Sequence, residues 1–86
     1  MVGLDTLDFD ADQYTAGAGT VNITYQLEGV IEHSLVVEGR EDDMRLVVSG
    51  GSTDRGSIDL DAGAYVLYCD IAGHREAGME ATLIVS

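Results

Sequence analysis

The chain has 86 residues and a formal net charge of -12, with 16 acidic residues against four basic ones. That charge argues against nucleic acid or an anionic membrane surface as a partner. No stretch approaches the roughly 20 apolar residues of a membrane-spanning helix, so we expect no membrane insertion by this chain. The N-terminus, MVGLDTLDFD, is acidic, and we therefore expect any export signal or anchor to have been removed.

Apolar and polar residues alternate along much of the chain, as in half-buried antiparallel strands. The alternating pieces are 7–9, 21–27, 44–48, 58–60 and 81–85. Turns rich in glycine or acidic residues lie at 16–19, 28–29, 39–43, 49–54 and 61–63. Strands spaced about 8–12 residues apart with such turns predict an all-β fold of about seven or eight short strands, either a sandwich or a barrel. We interpret residues 1–86 as one domain.

The segment LDAGAY at residues 60–65 resembles a tyrosine corner. In that device a tyrosine hydroxyl donates a hydrogen bond to the backbone a few residues upstream. An ordinary core aromatic is the alternative interpretation of Tyr65. Alternation places Tyr65, Leu67 and Cys69 on one face of the next strand, so Cys69 ends an inward-facing row.

Cys69 is the only cysteine, and His74 and Met79 follow it at two five-residue steps. A lone cysteine is often a buried apolar filler, and a reactive thiol, an intermolecular link and a metal ligand are the other interpretations. Gly73 and Gly78 precede the histidine and the methionine. Glycine tolerates backbone angles that other residues avoid, so the loop can fold back and aim three donors at one point.

The other histidine, His33, heads an apolar run far upstream. Two imidazoles, a thiolate and a weak thioether form the ligand set of a type-1 copper site. Zinc is normally bound by four strong ligands, and methionine is a poor one. The available donors therefore favour copper.

The pattern Cys69-x4-His74-x4-Met79, with His33-Ser34 starting 36 residues before the cysteine, resembles the cupredoxin family of plastocyanin, azurin and rusticyanin. Its spacing is most similar to the rusticyanin type. The resemblance implies a Greek-key sandwich and one-electron transfer at one type-1 copper per chain. It implies His33, Cys69, His74 and Met79 as metal ligands, and a contact between the backbone N–H of Ser34 and the cysteine sulfur.

Residues around these ligands are expected to control the site. We expect Ser34, Leu35 and Leu67 to tune the copper through hydrogen bonding and an apolar surround. In the family the ring edge of the histidine equivalent to His74 reaches solvent, and small neighbours would let a partner approach closely. These neighbours are Ala72, Gly73, Ala77 and Gly78. Tyr68 is similar in position to a tyrosine on a second electron-transfer route, although a plain surface aromatic is the alternative.

The resemblance implies an electron carrier rather than an enzyme, which we expect to be a monomer in the periplasm or outside the cell. Acidic residues near the loop, Glu32, Glu76 and Glu80, favour a redox partner with a basic docking patch, with an ordinary solvated rim as the alternative. Other functions left open are a copper carrier or storage domain, and a domain from a larger copper oxidoreductase or membrane-anchored parent. A thiol enzyme and a simple binding module fit the residues less well.

The chain has no proline, although the family often places proline in the ligand loop. Its absence is expected to loosen the loop and to cost about 0.4–1 kcal/mol at each compatible position. Tryptophan and lysine are absent too, which suggests a halophile-like or an engineered sequence. The alternation of Asp8, Asp10 and Asp12 lacks the rest of a calcium-binding loop, and we interpret it as an acidic edge.

Overall fold

The computed structural model describes residues 1–86 as strands and turns arranged in two sheets. The strands are β1 (Val2–Leu4), β2 (Asp8–Phe9), β3 (Gln13–Ala16), β4 (Gly19–Glu28), β5 (His33–Val37), β6 (Arg45–Val48), β7 (Thr53–Leu60), β8 (Gly63–Tyr68) and β9 (Glu80–Val85). One sheet has the order β2-β1-β4-β7, and the other has the order β3-β9-β8-β5-β6. None of the chain forms a helix with the length and apolar character needed to cross a membrane.

The longest strand, β4, shows why the alternating pattern produces a sandwich. Its residues Val21, Ile23, Tyr25 and Leu27 are buried, and the residues between them are exposed. The antiparallel strand β7 pairs with residues 19–26 of β4 in eight register pairs. Side chains from both sheets then meet in one buried apolar cluster, which confirms the predicted all-β sandwich.

The structure has nine strands where the sequence predicted seven or eight. The strands that were not predicted are short: β1 has three residues and β3 has four, which is too few to show a clear alternating pattern. β1 pairs parallel with β4, and β3 pairs parallel with β9, so both sheets are mixed. The predicted strand at 7–9 is shorter than expected, because Leu7 has a φ of 60° and lies in a turn.

The tyrosine corner is present. The Tyr65 hydroxyl donates a hydrogen bond of 2.7 Å to the carbonyl oxygen of Asp61, four residues upstream. The bond ties the start of β8 to the turn before it. Since Cys69 directly follows β8, the corner also fixes the strand that carries the cysteine.

Strand pairing in the second sheet brings the distant parts of the candidate site to one end of the sandwich. β5 and β8 are antiparallel neighbours with Val36 opposite Tyr68. The start of β5, with His33 and Ser34, therefore lies beside the end of β8, where Cys69 follows. The chain then turns through residues 70–78 and returns as β9, which pairs with β8.

Candidate metal centre

Three side chains converge at this end of the sandwich. Donor atoms of His33, Cys69 and His74 all lie within 4.8 Å of one another. The two Nδ1 atoms are 3.2 Å apart, and Cys69 Sγ lies 3.5 Å from His74 Nδ1. When nitrogen ligands lie at about 2.0 Å and sulfur ligands at about 2.3 Å from one metal ion, at trigonal or tetrahedral angles, their donor atoms are separated by similar distances. The donor set therefore fits one metal ion.

The His33 ring is held in the orientation that a metal ligand needs. Its Nε2 lies 2.7 Å from the carbonyl oxygen of Leu4, which can only accept a hydrogen bond. The ring proton is therefore on Nε2, and the Nδ1 lone pair faces His74. Burial lowers the pKa of His33, which favours the neutral ring.

The ligand loop, residues 70–78, folds back through a series of backbone hydrogen bonds. The amide of His74 donates to Ile71 at 3.0 Å, and the amide of Met79 donates to His74 at 3.1 Å. Gly73 and Gly78 have φ values of 83° and 111°, which confirms the predicted use of glycine to turn the chain.

Met79 is fully buried in the core cluster, and its carbonyl oxygen accepts a 3.2 Å hydrogen bond from the amide of Cys69. The backbone of Met79 is thus hydrogen-bonded to Cys69 and His74, two of the three converging residues. A role for its thioether as the fourth ligand stays a prediction.

The cysteine sulfur receives the expected hydrogen bond. The backbone N–H of Ser34 donates to Cys69 Sγ at 3.3 Å. Leu35 and Leu67 are completely buried in the same core cluster as Cys69. The sulfur is therefore shielded from water, and apart from His74 its polar contacts come from Ser34 alone.

Sequence reasoning missed a polar network on the Ser34 side of the sulfur. The Ser34 hydroxyl donates to Asp70 Oδ1 at 2.5 Å and accepts the amide proton of Asp70 at 2.9 Å. Arg45, on the neighbouring strand β6, donates from Nε and Nη2 to the two carboxylate oxygens of Asp70, each at 2.8 Å. The Arg45 hydrogen bonds, followed by the one from Ser34, lower the pKa of Asp70. The sequence signal was an acidic residue directly after the cysteine.

The backbone of β1 forms the wall behind His33, which sequence reasoning also missed. A Cβ atom placed on Gly3 would lie 2.9 Å from His33 Cδ2 and 2.7 Å from the hydroxyl oxygen of Tyr25. Tyr25 is fully buried, and its hydroxyl has no hydrogen-bond partner. Burial raises the pKa of Tyr25 far above its ordinary value. Only glycine allows β1 to approach these two rings so closely.

The segment before His33 carries the only large apolar side chains that are exposed, Val30 at 82% and Ile31 at 37%. Asp5 fixes this segment, because its carboxylate accepts the amide protons of Val30 and Ile31, each at 3.0 Å. The exposed surface predicted around His74 did not include Val30 and Ile31, which lie three and two residues before His33 in the sequence.

The small residues of the ligand loop, Ala72, Gly73, Ala77 and Gly78, are exposed, whereas His74 is only half-buried. Tyr68 is also half-buried, and the Arg75 guanidinium lies 4.1 Å above the centre of its ring. Arg75 pairs in addition with Glu38 at 3.3 Å and with Glu80 at 3.1 Å. One face of Tyr68 is therefore covered by a residue of the ligand loop.

The two-sheet sandwich, with two histidines and one cysteine converging at one end, defines the chain as a cupredoxin and confirms the predicted resemblance. The family model described as the sulfocyanin (SoxE) domain matches residues 34–86, which include Cys69, His74 and Met79. The chain belongs to this family. A search among curated proteins found no match.

Solved structures with a similar fold include two auracyanins and one oxidase chain. The reduced auracyanin of the photosynthetic bacterium Roseiflexus castenholzii has a TM-score of 0.82 at 16% identity, over 96% of this chain and 90% of that chain. Auracyanin A, a "blue" copper protein of Chloroflexus aurantiacus, has a TM-score of 0.78 at 19% identity, over 100% and 98%. A chain of a haem-copper terminal oxidase dimer has a TM-score of 0.77 at 19% identity, over 99% of this chain and 60% of that chain.

Proposed function

We propose that residues 1–86 form one copper-binding domain that carries single electrons at a type-1 centre. The observation that carries the proposal is the convergence of His33, Cys69 and His74, whose donor atoms lie within 4.8 Å of one another. One thiolate with two imidazoles suits copper, which cycles between Cu(II) and Cu(I) when bound to such a set. Membership of the sulfocyanin family supports the same function.

The residues of this chain hold their donor atoms in place before any ligand binds. The Leu4 carbonyl orients the ring of His33, and the Ser34 amide orients the sulfur of Cys69. Backbone bonds within the loop orient His74. A site fixed in this way needs little rearrangement when its charge changes, and small rearrangement favours fast electron exchange.

Met79 is proposed as the axial ligand, since it is fully buried and its backbone is bonded to Cys69 and His74. We expect Met79→Leu to keep copper and to raise the reduction potential, because an electron-rich thioether stabilises Cu(II). Voltammetry of the loaded protein measures the shift. An unchanged potential would show that Met79 is not the axial ligand.

An electron carrier and a copper store differ in how quickly the bound metal exchanges electrons. Reversible voltammetry with fast exchange is expected for a carrier, and slow exchange at an intact blue site would favour storage. The likeness to one chain of a haem-copper oxidase dimer favours a second candidate, an electron-accepting domain of a larger oxidoreductase. Catalysis by these residues alone is not proposed, because both histidines are already used in one site.

The proposed partner is a redox protein with a basic docking patch. We propose that this chain is a monomeric carrier and that it meets the partner in the periplasm or outside the cell. The net charge of -12 and the exposed Glu32, Glu76 and Glu80 support a basic partner. Val30 and Ile31, exposed just before His33, add an apolar contact surface. Electron exchange with a cationic reagent is expected to slow as salt is raised, whereas a rate that does not depend on salt would argue against charge-guided docking.

A further inference from the structure

The Ser34 hydroxyl has one proton and two nearby acceptors. Its oxygen lies 2.5 Å from Asp70 Oδ1 and 3.5 Å from Cys69 Sγ. A carboxylate is a strong acceptor, and the shorter distance lies within the range of a charge-assisted hydrogen bond. The hydroxyl proton therefore points at Asp70, while the oxygen accepts the Asp70 amide proton at 2.9 Å.

Asp70 is in turn held by Arg45. The guanidinium donates from Nε to Oδ2 and from Nη2 to Oδ1, both at 2.8 Å. This two-point contact fixes the plane of the carboxylate and presents Oδ1 to Ser34. Ser34 is fully buried, so its hydroxyl has no solvent to turn toward.

We propose that Asp70, oriented by Arg45, draws the Ser34 hydroxyl proton away from the Cys69 sulfur and so limits the sulfur to one hydrogen bond, from the Ser34 amide. Asp70 and Arg45 are positioning residues in this account. The consequence for the reduction potential rests on the proposed copper function, whereas the hydrogen-bond arrangement does not. A further hydrogen bond would weaken electron donation by the thiolate and favour Cu(I), so Asp70 keeps the potential lower than it would otherwise be.

The first experiment compares Asp70→Ala with Asp70→Asn by voltammetry and visible spectroscopy of the copper-loaded protein. Both variants remove the negative charge, but only asparagine keeps an acceptor oxygen for Ser34. We expect the larger rise in potential, and a thiolate band shifted to higher energy, in Asp70→Ala. In a Ser34→Ala background the two variants should have the same potential. If Asp70→Ala and Asp70→Asn have equal potentials in the protein that keeps Ser34, the proposal is overturned, because the lost charge alone would then explain the shift.

The second experiment uses the copper-free protein, so its result can be interpreted even if the protein does not bind copper. We expect nuclear magnetic resonance to detect a slowly exchanging Ser34 hydroxyl proton coupled to the Asp70 carboxyl carbon. The signal should be lost in Asp70→Ala and should exchange faster in Arg45→Gln. The control is Arg55→Gln, which removes the same charge from an exposed site on the other sheet and should leave the signal unchanged. A rapidly exchanging hydroxyl without this coupling would refute the arrangement.

Discussion

The close approach of β1 to His33 can be tested by adding one methyl group. In Gly3→Ala the new Cβ would lie 2.7 Å from the Tyr25 hydroxyl oxygen and 2.9 Å from His33 Cδ2. Both distances are shorter than van der Waals contact, and both rings are fully buried. Something must therefore move, and the movable neighbours are a core tyrosine and a proposed metal ligand.

The expected cost comes from two opposing effects. Overpacking a core costs about 1–3 kcal/mol. Replacing glycine by alanine returns about 0.4–1 kcal/mol by restricting the unfolded chain. At the middle of both ranges overpacking prevails, with a net loss of about 1.3 kcal/mol. Unfolding entropy of about 2.1 cal/mol/K per residue gives about 0.18 kcal/mol/K for 86 residues, so this loss lowers Tm by about 7 °C.

Thermal and urea unfolding of the copper-free protein measure this loss, with Gly17→Ala as the matched control. A Cβ at Gly17 meets no atom within 4 Å, so this variant should be neutral or slightly stabilised. Tyr25→Phe removes the clashing oxygen, which also has no hydrogen-bond partner. We expect it to recover part of the loss in the double variant, with a coupling of about 0.5 kcal/mol or more. Wild-type stability in Gly3→Ala, or strict additivity with Tyr25→Phe, would refute this account of the wall behind His33.

Two further predictions concern the charges around the site. Arg75→Gln should lower stability slightly at low salt and have no effect near 1 M salt, because ion pairs with Glu38 and Glu80 are screened there; urea unfolding checks this, and a loss equal at both salt levels would contradict it. For His33, burial lowers the folded pKa, so the unfolded chain binds the extra proton as pH falls below about 6.5. The copper-free protein should therefore lose stability between about pH 7 and pH 5, and His33→Gln should flatten that slope. A slope that is the same in both proteins would show that other groups cause it.

Local pattern predicted the parts of the fold in which one strand face is buried. In β4 the alternation of Val21, Ile23, Tyr25 and Leu27 is complete, and the observed burial follows it. β1 carries no such pattern in three residues, and its parallel pairing with β4 depends on contacts across the sheet. Residue chemistry likewise predicted that His33, Cys69 and His74 come together, as they do in the structure, because few other side chains in the chain prefer a soft metal.

The polar surroundings of the site could not be predicted in the same way. Arg45 reaches Asp70 only because β6 pairs with β5 while β8 lies on the other side of β5. The positions 45 and 70 are unrelated in sequence pattern, so strand register alone creates this contact. The same holds for Gly3 against His33, where the missing side chain is the important feature.

The central claim is that Cys69 binds copper together with His33 and His74. Adding Cu(II) to the copper-free protein and recording visible and paramagnetic resonance spectra tests it most directly. We predict an intense blue thiolate-to-copper charge-transfer band at one copper per chain, and we predict its loss in Cys69→Ala. A colourless copper complex of the unmodified chain, or a band that survives in Cys69→Ala, would contradict the claim.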